Sequence, residues 1–230
     1  MAVALDSSSK IGTAWQSGSP TSITFSHTCT GSNLILVVGA YTATATEYVT
    51  GITYNGEALT KITHLNPGGG DDTVMYYKIG PATGANNIVV SQVLGNNFIW
   101  AAGESLTGAK QSAQPDSFAT NSTFAGTSAG LTYTTTVVAD NSWLSLITRG
   151  SANASAGAGT VLRQDGTNGT NARFWDSNAT VASGSRSLVT NGDAGAYNSG
   201  IIISIAPAVS GGIVSTAKKF TGMALLGVGA

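Results

Sequence analysis

Residues 22–30, SITFSHTCT, lead through Gly31-Ser32-Asn33 into residues 34–41, LILVVGAY, and these neighbouring segments decide the fold class. The first alternates. Ile23, Phe25, His27 and Cys29 fall on one face and Ser22, Thr24, Ser26 and Thr28 on the other, the two-residue period of a half-buried strand. The second is a nearly unbroken apolar run, which predicts a strand covered on both faces. Gly31, Ser32 and Asn33 supply the turn between them.

The same grammar extends along the chain. In GITYNGEALTKI, Asn55-Gly56 stands between two alternating segments and predicts a type I′ hairpin, whose two central residues need positive φ. Further strands are expected at TVMYYKI, NNIVVSQV, FIWAAGESLTG, LTYTTTVV, SWLSLIT, GTVLRQ, ARFWDS, SRSLVT and GIIISIAP, separated by Gly, Asn, Asp and Pro. About a dozen short strands predict an all-β chain, a β-sandwich of jelly-roll type with a C-terminal extension. The sandwich is expected over residues 1–207 and an apolar interaction segment over 208–230. Ala109 to Ser128, rich in Ser, Ala and Thr, is expected as a long loop.

Composition narrows the chemistry. Only 9% of the 230 residues are charged, with 10 Lys and Arg against 11 Asp and Glu, so the solvent face must be built from neutral polar side chains. No window gathers the basic residues that neutralise phosphates, which sets nucleic acid aside as a partner. Cys29 is the single cysteine, so packing and strand pairing, not an intrachain disulfide, must hold the fold. The opening MAVALDSSSK has neither a basic region nor a long apolar core, and no secretory leader is expected.

The candidate reactive groups are few. His27 and Cys29 share a strand face, but positions i and i+2 lie roughly 7 Å apart, too far for direct proton transfer, and both read as core. His64 has no second histidine at ligand spacing and reads as a surface residue. Asp71 and Asp72 in GGGDDT resemble calcium donors but lack the spacing of a dedicated loop; they read as a solvated turn, as do Asp165-Gly166 and Asn168-Gly169. Glu104 sits beside Trp100, Ala101 and Ala102 and reads as a sheet position. No Gly-x-Ser-x-Gly elbow, P-loop or dinucleotide fingerprint occurs. The expectation is a protein without enzymatic activity, cofactor or metal. Of Trp15, Trp100, Trp143 and Trp175, Trp143 reads as core, whereas Trp175, flanked by Arg173 and Asp176, is the candidate for an exposed glycan-stacking platform.

The C-terminal stretch STAKKFTGMALLGVGA is uncharged from Phe220 to Ala230, well short of the roughly 20 apolar residues that span a bilayer. No membrane anchoring is expected. Phe220, Met223, Leu225 and Leu226 are the candidate partner-binding residues, offering anchors to a neighbouring subunit.

The segments SNLILVVGAY, VTGITYNGEALTKI, YYKIGPATGANNIVVS, GAKQSAQPD and VADNSWLSLIT together resemble a group of virion proteins encoded by tailed bacteriophages and environmental viral genomes. The resemblance covers about residues 20 to 207 and is carried by fold-forming segments and turns, not by catalytic residues. It implies a non-enzymatic structural protein of the virion, assembled in the host cytoplasm, that decorates or stabilises the capsid. The implied partners are the chain itself, as a homo-oligomer such as a trimer, and the major capsid protein or another virion protein. The alternative it leaves open is a receptor-binding or glycan-binding tail accessory protein, with Trp175 facing a host glycan.

Overall fold

The computed structural model describes residues 2–11, 20–93, 98–123, 131–150, 154–166, 171–191 and 198–208. The described residues form strands and no helix. Strand β2 (Ser22–Cys29) buries Ile23, Phe25, His27 and Cys29 and exposes the alternate positions, whereas β3 (Ile35–Thr42) is buried along its whole length. Both results follow the two sequence patterns. Asn55 and Gly56, at φ 51° and 77°, make the expected turn between β4 (Val49–Tyr54) and the short β5 (Glu57–Ala58).

The remaining strands of the first half are β1 (Ala4–Lys10), β6 (Thr60–Gly68), β7 (Asp71–Ile79), β8 (Gly84–Gln92) and β9 (Ile99–Thr107). They form a five-stranded sheet, β1-β9-β3-β7-β6, and a four-stranded sheet, β2-β8-β4-β5, antiparallel throughout. The second half holds β10 (Ser117–Thr123), β11 (Thr132–Val137), β12 (Trp143–Arg149), β13 (Ser155–Ala156), β14 (Val161–Asp165), β15 (Ala172–Asp176), β16 (Gly184–Asn191) and β17 (Asn198–Ile205). Its sheets run β10-β17-β12-β15-β14 and β11-β16-β13. The stretch expected as a loop from Ala109 thus contains β10, a sheet edge built mostly of neutral Ser, Thr and Asn with Phe118 and Ala119 near its start.

The two orders are the same order written twice. Replacing β1, β2, β3 and β4 by β10, β11, β12 and β13, and β6 to β9 by β14 to β17, turns one half into the other. Backbone details follow the match. Asn33 and Asn141, at φ 50° and 63°, stand before β3 and β12, and Gly84 and Gly184, at φ 90° and 101°, open β8 and β16. The edge strands β6 and β14 each carry a bulged residue, Ile62 and Arg163 respectively, and β6 shifts register a second time between Leu65 and Gly68.

The four sheets stack as layers. One core cluster joins both sheets of the first half to Trp143, Ile147, Phe174, Ile201, Ile203 and Ile205 of the second, and a smaller one holds Tyr133, Leu146, Trp175, Leu188 and Ile202 between the second half's own sheets. The five-stranded sheets therefore lie inside, back to back, and alternate side chains of each face opposite neighbours. That is why β3 and β17 carry continuous apolar runs.

Across this inner interface β1 meets β14 and β10 meets β6, β9 meets β15 and β17 meets β7, while β3 meets β12. Exchanging the halves maps these five pairs onto one another, which indicates an approximate twofold arrangement within one chain; β17 also meets β6 and β12 meets β7 without images of equal extent, so the symmetry is not exact. On the axis, Gly39 and Ile147 occupy matching positions, each six residues after its turn asparagine. A Cβ on Gly39 would fall 2.6 Å from Ile147 Cδ1, so the isoleucine fills the space that the glycine leaves.

Candidate functional site

Two groups of charged side chains lie at the inner interface. Matching rows cross the two sheets: Glu104, Val37 and Tyr77 in the first, Ile203, Ser145 and Asp176 in the second. Glu104, fully buried on β9, accepts a hydrogen bond from Ser145 Oγ across the interface. Asp176 is equally buried; Arg163 Nε lies 2.5 Å from its Oδ2, and Arg163 also donates to Asn178 Oδ1 at 2.6 Å. Burial first, and the neighbouring Asp176 carboxylate second, hold the Glu104 carboxyl well above the usual range, favouring its protonated form. Sequence reasoning placed Glu104 correctly in a sheet but missed its partners, which lie more than forty positions away in the other half.

A second cluster closes one end of the axis. Tyr41 and Arg149 occupy matching positions and converge on Asp71, the hydroxyl donating to Oδ1 at 2.5 Å and the guanidinium lying 3.1 Å from Oδ2. Burial and the Asp71 carboxylate both push the Tyr41 hydroxyl up. The neighbouring Asp72 serves a different cluster: its Oδ1 lies 3.1 Å from His64 Nδ1, and the other ring nitrogen of His64 is 3.8 Å from Glu47, which pairs with Lys61. The reading of Asp71 and Asp72 as a solvated turn is therefore corrected. Both open β7 and are buried, because each has a cationic or donor partner to offset its desolvation. Their side chains diverge into separate clusters. Among the described residues no group of three or more His, Cys, Asp or Glu is placed to hold a metal ion.

His27 and Cys29 lie inside the first sandwich and do not reach solvent. His27 Nδ1 is 2.7 Å from Ser9 Oγ, and burial lowers its pKa to about 4. Burial likewise pushes the Cys29 thiol up. A neutral imidazole beside an un-ionised, enclosed thiol supports packing and offers no attacking group to a substrate.

Trp175 corrects the sequence reading outright. It is fully buried in the second half's core and donates from Nε1 to Thr148 Oγ1 at 2.8 Å, so no face is open for a sugar to stack on. Its charged neighbours suggested solvent, but Asp176 is enclosed in the interface and Arg173 pairs with Asp165, Nε to Oδ1 3.1 Å. Trp100 and Trp143 are core, as expected of Trp143. Trp15 and the candidate partner-binding residues Phe220, Met223, Leu225 and Leu226 lie outside the described residues. Compared with known protein families, curated proteins and solved structures, the chain shows no match.

Proposed function

We propose that the protein is a non-enzymatic structural component of a tailed-bacteriophage virion, decorating and stabilising the capsid as a homo-oligomer. One observation carries the reading. Arg149 with Asp71 and Lys78 with Glu57 tie one sheet to another, while the outer faces of β2 and β11 present rows of neutral hydroxyls, Ser22, Thr24, Ser26 and Thr28 on the one and Thr132, Thr134 and Thr136 on the other. Such a body is stiff and attracts few charged surfaces, which suits a particle component.

Strand order supports a jelly roll in each half. Counting β5 and β6 as one strand broken at Leu59, the first half has eight strands in sheets 1-8-3-6-5 and 2-7-4-5, the fifth strand passing from one sheet to the other, which is compatible with a double Greek-key order. Attachment is assigned to the apolar residues beyond Ala208, with Phe220, Met223, Leu225 and Leu226 as anchors in a neighbouring copy or in the major capsid protein.

The test compares the full chain with a truncation ending at Pro207, by light scattering and by co-sedimentation with purified particles. Oligomerisation and particle binding by the full chain, both lost on truncation, are expected. A truncated chain that joins the particle at full occupancy defeats the attachment role, and a full chain that never binds particles defeats the virion role.

A further inference from the structure

The outer face of the four-stranded sheet is not flat. Two hollows, of ≈ 420 Å³ and ≈ 540 Å³, share Thr53 and so form one furrow along β4. Asn55, Asn86, Asn87 and Val89 line one end, and Ser91 and Tyr76 line the other. From Thr50 to Asn55 the furrow runs roughly 17 Å at the strand rise.

Its chemistry selects among ligands. Lys61 borders the furrow but is neutralised by Glu47, leaving no free cation there for an anionic ligand. The lining holds no carboxylate for a cation. An extended peptide would need unpaired backbone groups, whereas β4 is bonded to β8 on one side and, at Thr53 and Tyr54, to β5 on the other. What remains is a strip of side-chain amides and hydroxyls over an apolar floor. That combination fits a neutral polyhydroxylated chain, whose hydroxyls need donors and acceptors and whose C–H faces need apolar contact.

The duplicated half sharpens the argument. There the Asn55-Gly56 turn is answered by a turn at Ala158-Gly159 after the two-residue strand β13, but among the described residues the sheet has no strand in the place of β5. At the position of Asn86 stands Arg186, whose guanidinium folds back onto the carbonyls of Ala182 and Ser183. The two outer faces thus differ at this position, a neutral amide in the first half and a guanidinium in the second. We infer that the furrow over β4 and β8 is a binding site for a neutral oligosaccharide, independent of any role of Trp175 and of the virion reading.

Calorimetry and NMR titration with maltotetraose, cellotetraose, chitotetraose and mannotetraose up to about 10 mM, beside a sulfated oligosaccharide, test it on the full chain. At least one neutral tetraose is expected to bind. Thr53→Arg, which fills the junction of the hollows, should abolish binding, Asn87→Ala should weaken it about 5- to 10-fold, and Thr134→Arg on the other outer sheet should leave it unchanged. Circular dichroism checks that each variant is folded, and Asn55→Ala stands in if Thr53→Arg is not. The site is overturned if no neutral probe binds, if the sulfated one binds better, or if Thr134→Arg weakens binding as much as Thr53→Arg.

Discussion

The inner interface has two sides that the twofold arrangement makes equivalent, and they are built from opposite chemistries. On one side Glu104, Ser145, Asp176 and the bulged Arg163 meet; at the matching positions on the other stand Ile203, Val37, Tyr77 and the bulged Ile62. A pair of identical subunits would be obliged to repeat one chemistry on both sides. Two halves on one chain are free of that rule. The apolar side supplies adhesion through burial. The polar side, costly to desolvate, admits only one register, since any slip leaves a buried carboxyl without its partner.

Arg163→Met should have the largest effect. It leaves the Asp176 carboxylate buried and uncompensated beside Glu104, and a loss of about 3–5 kcal/mol in chemical denaturation is expected. Replacing the whole polar side by its apolar counterparts, Glu104→Ile with Ser145→Val, Asp176→Tyr and Arg163→Ile, should instead leave stability unchanged or raise it by about 1–4 kcal/mol. A quadruple variant as unstable as Arg163→Met would break the comparison, because it would make the ionic contacts net stabilisers.

On the axis, Gly39→Ala should cost about 1–3 kcal/mol by driving a methyl into Ile147, and most of that should return in the Gly39→Ala, Ile147→Ala double variant once space is opened. Additive losses in that cycle would show that the two positions do not touch.

The smallest change is one of slope. Because the folded Glu104 pKa is raised, the native state binds the extra proton, and stability falls as pH rises from the ordinary Glu range towards the folded value. Glu104→Gln should remove that decline, read in thermal melts on the alkaline side of the ordinary Glu range. The acid side belongs elsewhere. His27, depressed to about 4, binds its proton more readily when unfolded, so stability is lost as pH falls from about 6.5 towards 4. His27→Gln should flatten that limb and leave the alkaline one intact.

Strands were legible because their signal is local. The alternation in β2, the covered run in β3 and the Asn55-Gly56 turn each depend on residues within a few positions of one another. The doubling was not, because matching positions share backbone needs and not side chains: the two turn asparagines, the two strand-opening glycines and the two bulges recur, while Gly39 faces Ile147 and Glu104 answers to Ile203. Trp175 and Asp71 were misplaced for a related reason. A charge in sequence signals solvent only until a partner from a distant strand neutralises it, and these partners come from across the sheets.

The junction of the halves has a mechanical consequence. The Ala208 amide bonds to the Gly108 carbonyl, and Ala109 pairs with Pro207, so the described chain ends beside the point where one half passes into the other. Tension applied at Ala208 enters β17, which is held on both flanks by β10 and β12. Its ladder bonds lie across the direction of pull and must rupture together rather than peel in turn. A load carried through this end would be resisted in shear by an interior strand of a four-layer body.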